Sequence, residues 1–261
     1  MENYVLITWA SSGIWYAFAE IFAKNNNNLV LVARSAQRLQ DIKKLLEDTY
    51  KIKVYILDKD LTLKDSPKEV YEFTESNNLK INYLINNAWF WDYGEFSESD
   101  PEKDAQMIQL NVLALTNLTR YYVADMKKND YGKILNVAST AAFEPGPYMA
   151  VYFATKAYVS SFSLALSIEL AKTKITVTTL YPGPTKSNFV QSASAEWAQI
   201  FSWKLSDSYD VASYGYKSMM SGKRMAIYWV LNKIQAYSMK FLPMGLVLRA
   251  MNSIMGKQKK Q

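Results

Sequence analysis

Short runs rich in Val, Ile and Leu alternate with stretches of helical spacing, and this alternation constrains the fold more than any other feature. The pattern predicts strands over 4–9 (YVLITW), 29–34 (LVLVAR), 53–58 (KVYILD), 81–88 (INYLINNA), 133–139 (KILNVAS) and 175–182 (ITVTTLYP). Between them it predicts helices over 13–25, 36–49 and 66–77, a long one ending near 127, and another over 149–171. Strands that are apolar on both faces need cover on both faces, which is the condition of a parallel sheet. Right-handed crossovers then wind the chain into an α/β doubly wound sheet in three layers. No linker or internal repeat interrupts the pattern before 182. Ligands of such sheets lie beyond the carboxyl ends of the strands. Those ends read TWASSGIW, ARS, DKDL, NNAWFW, VAST and YPGPT.

The residue inventory narrows the chemistry that this rim can perform. The chain has no Cys and no His, which excludes disulfides, thiolate chemistry, Cys/His zinc sites and His-based triads. No metal is called for. A net charge of +6 suits anionic ligands such as phosphates, and equally well plain solubility. No Arg/Lys block carries interleaved aromatics, so nucleic acid is not an expected partner. The first residues run straight into a strand without a charged segment and an apolar one. No run of about 18 apolar residues is present. A cytoplasmic location without a membrane span is expected.

Tyr152 and Lys156, in YFATK, are the strongest chemical signal. Spacing i,i+4 early in a helix puts both side chains on one face, about 6 Å apart at Cβ. A neighbouring ammonium favours a phenolate, so the tyrosine pKa is expected to fall from about 10 toward working pH. Such a phenol can give a proton to a carbonyl or take one from an alcohol. Ser139, at the end of the fifth strand, can hold a substrate oxygen, or can simply cap the next turn. Asn111, in QLNVLAL, can hold water or bind a helix carbonyl, or can mark a local helix defect.

In order, the segments TWASSGIW, LVARS, KDL, NNAW, QLN, VAST, YFATK and YPGPT resemble the short-chain dehydrogenase/reductase family over residues 4 to about 190. The resemblance implies one Rossmann-type domain over 1–261 that binds NAD(H) or NADP(H). It implies that Tyr152 is the acid/base and that Lys156 binds the nicotinamide ribose and tunes the phenol. Ser139 would position the carbonyl and Asn111 would support a proton relay. Thr8, Trp9, Ser11, Ser12, Gly13, Ile14 and Trp15 would form the phosphate turn. Asp60 and Leu61 would meet the adenine, Asn87, Ala88 and Trp89 would line the cleft, and Pro182, Gly183 and Thr185 would meet the carboxamide. At the end of the second strand an acid would bind a ribose hydroxyl, whereas an Arg accommodates a 2′-phosphate. Arg34 stands there, so NADP(H) is expected over NAD(H). Phe143, Pro145 and Tyr148 are read as the apolar substrate side, or as ordinary loop packing. The family also implies a homodimer or homotetramer.

The tryptophans break the family pattern. Thr-Gly-x-x-x-Gly-x-Gly reads Thr8, Trp9, Gly13, Trp15 here, and Asn-Asn-Ala-Gly reads Asn86, Asn87, Ala88, Trp89. Trp91 also falls where relatives often carry glycine. An indole at each place is expected to fill phosphate space and to block the helix N-terminus. Two readings compete. In one, the chain is a catalytically inactive scaffold or binding protein whose cofactor site is blocked by Trp9, Trp15 and Trp89. In the other, the cell inserts glycine, because some bacterial lineages read UGA as glycine where other codes read tryptophan. Glycine is 9 of 261 residues, against a usual share of about 7%. Counting the seven tryptophans as glycine restores about 6%. The wealth of Asn, Lys, Ile and Tyr fits an AT-rich genome. On the glycine reading the chain is an NADP(H)-dependent oxidoreductase acting on a carbonyl or alcohol, 3-oxoacyl-like or another apolar ketone.

Beyond 183 the pattern loosens. Residues 185–256 are read as a substrate lid and C-terminal helical extension. Within them, 223–256 is basic and apolar together. A lid or subunit contact packed on the domain is the favoured reading of that stretch, and peripheral membrane contact the second.

Overall fold

Alternate residues of each apolar run enter opposite faces of one sheet, as strand geometry requires. In β1 (Tyr4–Thr8), Val5 and Ile7 join one apolar cluster, and Tyr4 and Leu6 the other. β2 (Asn28–Ala33) divides the same way, with Leu29 and Leu31 on one side and Val30 and Val32 on the other. The computed structural model describes residues 3–8, 13–186, 205–239 and 241–256. It contains a seven-stranded sheet in the order β3-β2-β1-β4-β5-β6-β7, with every pair parallel. β3 is Val54–Asp58, β4 Ile81–Asn86, β5 Gly132–Val137 and β6 Ile175–Tyr181. Each buried Val, Leu or Ile contributes about 1.5–3 kcal/mol, so the two clusters hold the layers together.

The chain order reverses between β1 and β4, which makes their carboxyl ends the crevice of the sheet. One face is covered by α1 (Ile14–Lys24), α2 (Ala36–Tyr50) and α7 (Ser208–Met220). α3 (Ser66–Ser76) and α5 (Leu115–Lys128) pack on the other. α6 (Ala150–Glu169) runs beside β6 and carries the YFATK segment.

Two features differ from the pattern read off the sequence. β7 (Met225–Ile227) adds a strand beside β6. Three residues inside a basic, apolar stretch are too few to show a period of two. The long helix is also not continuous. α4 (Pro101–Ile108) opens with Asp100 accepting from the Glu102 N–H at 2.9 Å and with Pro at the first position. A π-helical stretch, Gln109–Ala114, then separates it from α5.

A buried polar seam ties the layers at mid-sheet. The Asn86 amide donates to Thr119 Oγ1 at 3.0 Å and to Asn136 Oδ1 at 2.9 Å, and Asn136 donates to Ser163 Oγ at 2.8 Å. These bonds tie neighbouring layers together, although Asn86 Oδ1 itself is buried without a partner.

Candidate active site

The carboxyl rim brings three of the side chains singled out in the sequence together. Tyr152 and Lys156 lie on the buried side of α6, both nearly inaccessible. Lys156 Nζ sits 5.8 Å from the centre of the Tyr152 ring and donates to the Val137 carbonyl, at the end of β5, at 3.0 Å. Ser139 lies close enough to the Tyr152 phenol to lower its pKa. The Ser139 Oγ accepts from the Ala141 N–H at 3.2 Å, capping the short 3-10 turn Thr140–Phe143. Both readings of Ser139, oxygen partner and cap, thus describe one residue.

The electrostatics differ from expectation. Burial pushes the Tyr152 phenol up to about 12, and the nearby Ser139 hydroxyl offsets only part of that. Burial brings the Lys156 amine down to about 7. Desolvation penalises each charged form and outweighs the mutual tuning that i,i+4 spacing suggests.

Asn111 explains the π-helical stretch in which it sits. Its Oδ1 accepts from the Phe90 N–H at 3.1 Å, and its Nδ2 donates to the Phe90 carbonyl and to Thr155 Oγ1, both at 3.0 Å. The helix widens where this side chain leaves to clamp the loop after β4. Thr8 acts similarly from β1: its hydroxyl accepts from the Asn87 and Ala88 N–H groups at 3.1 and 3.2 Å and is itself buried. Loop 87–91 is therefore held from two sides.

The remaining picks spread along the rim. Gly13 caps α1 at φ 75°, ψ −128°, a conformation that suits glycine. Ile14 is buried in the core beneath it. Arg34 lies 4.0 Å from Asp60, which also accepts from Thr62, while Leu61 is buried. The Pro182 carbonyl accepts from the Thr140 N–H, and Gly183 accepts from the Thr185 hydroxyl. Phe143 packs on Tyr181, with ring centres 4.8 Å apart, away from Tyr148, which packs on Tyr93. A small cleft beside Tyr152 is lined by Tyr93, Met107, Tyr148 and Met149 and also by Asp92, Ser99 and Asp104. Trp9, Ser11 and Ser12 lie outside the described residues.

One side chain, Thr155, escaped the sequence reading, and the C-terminal helical extension expected over 185–256 contributes two helices. Thr155 receives the Asn111 amide and donates to the Tyr152 carbonyl at 2.7 Å. α8 (Val230–Ser238) and α9 (Met244–Met255) follow β7, and Val247, Met251 and Met255 of α9 pack into the cluster of Tyr152 and Phe153. Their i, i+4, i+8 spacing was the available signal.

The described tryptophans behave in four ways. Trp15 does not enter the rim as expected. It turns into the core, completely buried, and its Nε1 finds no hydrogen-bond partner, a cost of about 1–3 kcal/mol. Trp89 lies at the rim, its ring centre 4.9 Å from Lys156 Nζ and 5.9 Å from the Tyr152 ring centre. Trp91 packs against the same cluster. Trp229, unremarked in the sequence, holds φ 69° and ψ 147° at the entry to α8, next to a region that is essentially glycine-only.

One buried acceptor at the crevice is open to a ligand. Asn87 Oδ1 is buried at the crevice without a partner, as an acceptor awaiting a ligand hydroxyl would be. The side chain of Trp89 is the feature that does not suit it, because it fills the space in front of the Tyr152–Lys156 pair.

The family profile described as short chain dehydrogenase matches residues 3–198. The chain is 31% identical over 188 residues to the very-long-chain 3-oxoacyl-CoA reductase-B of Danio rerio. That match covers 70% of this chain but only 59% of the fish protein's length. It is 28% identical over 180 residues to a 7beta-hydroxysteroid dehydrogenase of Mediterraneibacter gnavus, covering 69% of this chain and 68% of that one. Among solved structures, a short-chain dehydrogenase from Sphingobium yanoikuyae in complex with NADPH superposes with a TM-score of 0.82 at 28% identity, covering 94% of this chain and 95% of that one.

Proposed function

Because the chain belongs to the short-chain dehydrogenase family, we propose that it is an NADP(H)-dependent reductase of apolar carbonyl compounds, with glycine at positions 9, 15 and 89 in the working enzyme. The contiguity of Tyr152, Lys156 and Ser139 carries this reading. Arg34 and Asp60 would hold the adenosine end, with Arg34 on a 2′-phosphate. Asn87 and Lys156 would hold the nicotinamide ribose, and Thr185 the carboxamide. The bound nicotinamide supplies the hydride.

The chain's own residues handle the proton. The Ser139 hydroxyl holds the substrate oxygen, and the Tyr152 phenol donates its proton to that oxygen. A phenol held near 12 is protonated at neutral pH, the form that reduction requires. Asn111 and Thr8 hold loop 87–91 in place. The apolar side chains of Tyr93, Met107, Tyr148 and Met149 beside Tyr152 favour an apolar ketone, in keeping with the names of the relatives.

The position of Trp89 against Lys156 favours a second reading, a non-catalytic protein with a closed site. The orphaned Nε1 of Trp15 and the backbone of Trp229 argue for glycine instead, since neither place suits an indole. NADPH titration separates the two readings. The version with glycine at 9, 15 and 89 should bind NADPH and reduce a 3-oxoacyl substrate or simple ketone, and the chain as written should do neither. Failure of the glycine version to bind would sink the enzyme reading. UGG codons at 9, 15 and 89, or tryptophan in peptides of the native protein, would sink the decoding reading.

A further inference from the structure

The two last helices are apolar on the wrong side for a surface that meets water. α8 buries Asn232 and Ala236, and α9 buries the narrow stripe Val247, Met251 and Met255. Val230, Leu231, Ile234, Met244 and Leu246 are each more than half exposed, and Phe241, in the turn between the helices, is 85% exposed. A surface helix of a protein surrounded by water normally turns polar residues outward.

The charge of this region has one sign. Residues 211–261 contain nine Lys or Arg and no Asp or Glu. The whole chain carries only +6, so the rest of it is net negative. Lys233 and Arg249 form no ion pair among the described residues. A second copy of this face would bring cations against cations, which opposes self-association. An apolar face that carries Lys233 and Arg249, in a stretch with no acidic residue, complements an anionic lipid surface. No helix among the described residues is long and apolar enough to cross a membrane, so the contact lies in the interface plane.

We infer that α8, the Phe241 turn and α9 form a monotopic docking face for an anionic bilayer. The inner stripe of α9 packs with Tyr152 and Phe153, so one helix has lipid on its outer side and the candidate site on its inner side. An apolar carbonyl compound dissolved in the bilayer then has a short path to the phenol. The docking itself does not depend on the proposed reduction.

Flotation of the full chain with vesicles of phosphatidylcholine, alone or mixed with phosphatidylglycerol, tests this. Binding is expected to the mixed vesicles, to weaken in high salt, and to fall about tenfold in Phe241→Ser. Lys233→Glu with Arg249→Glu should remove the preference for phosphatidylglycerol. All these positions are at the surface, and unchanged thermal unfolding of the variants checks folding. The inference is overturned if the chain ignores both vesicles or if Phe241→Ser binds as well as the parent. It is also overturned if sedimentation shows a dimer that Phe241→Ser dissociates. Lipid binding without carbonyl reduction would leave this inference standing and remove the enzymatic one.

Discussion

The two halves of the rim contrast sharply. On the β5–α6 side, Ser139, Tyr152 and Lys156 meet as the sequence spacing suggests, each with a partner. On the β1–β4 side, the backbone clamps are equally intact, with Thr8 and Asn111 holding loop 87–91. The side chains that this second half presents are nonetheless indoles, where the family pattern has glycine. Trp89 crowds the rim, and Trp15 is buried with an orphaned N–H. A site decaying without selection would lose its acid/base chemistry and its scaffolding together. Here the departures are confined to one residue type.

The contrast can be broken or sharpened by four substitutions. The largest effect is expected from Tyr152→Phe in the glycine version, which should lower turnover by about 10²–10⁴ while sparing NADPH affinity; steady-state kinetics with a binding titration checks it. Lys156→Met should stabilise the fold by a few kcal/mol at neutral pH. A buried lysine whose folded pKa is lowered to about 7 costs stability wherever its unfolded form is protonated. That cost is complete below about 7, shrinks as pH rises toward the ordinary 10.5, and vanishes above it. Denaturant unfolding across this window should slope upward with pH in the parent and stay flat in the variant. In the glycine version, Arg34→Ala should weaken NADPH about tenfold or more and leave NADH nearly unchanged, as isothermal titration would report. The smallest effect is expected from Trp229→Gly, which should raise stability by about 1–3 kcal/mol by relieving the backbone, read as a rise in Tm.

The fold was legible because each buried strand spells its own burial on both faces. β7 was not, since Met225–Ile227 is recognised as a strand only by its pairing with β6. Tyr152 and Lys156 were legible as neighbours because helix geometry fixes their spacing. Their ionisation was not, because desolvation depends on what α9 and the loop after β4 lay over them, and those contacts are distant in sequence. Thr155 was invisible for the same reason: its role is set by Asn111, on another helix. The strain at Trp229 is a property of φ and ψ and has no counterpart in composition.

The depressed amine of Lys156 gives this protein an unusual proton economy. A chain with no imidazole and no thiol has no side chain that changes charge around neutrality at its ordinary pKa. Burial moves one amine into that gap, and it is the amine beside the reactive phenol. Isotope labelling of the lysines would turn occupancy of the crevice into a single shifted resonance.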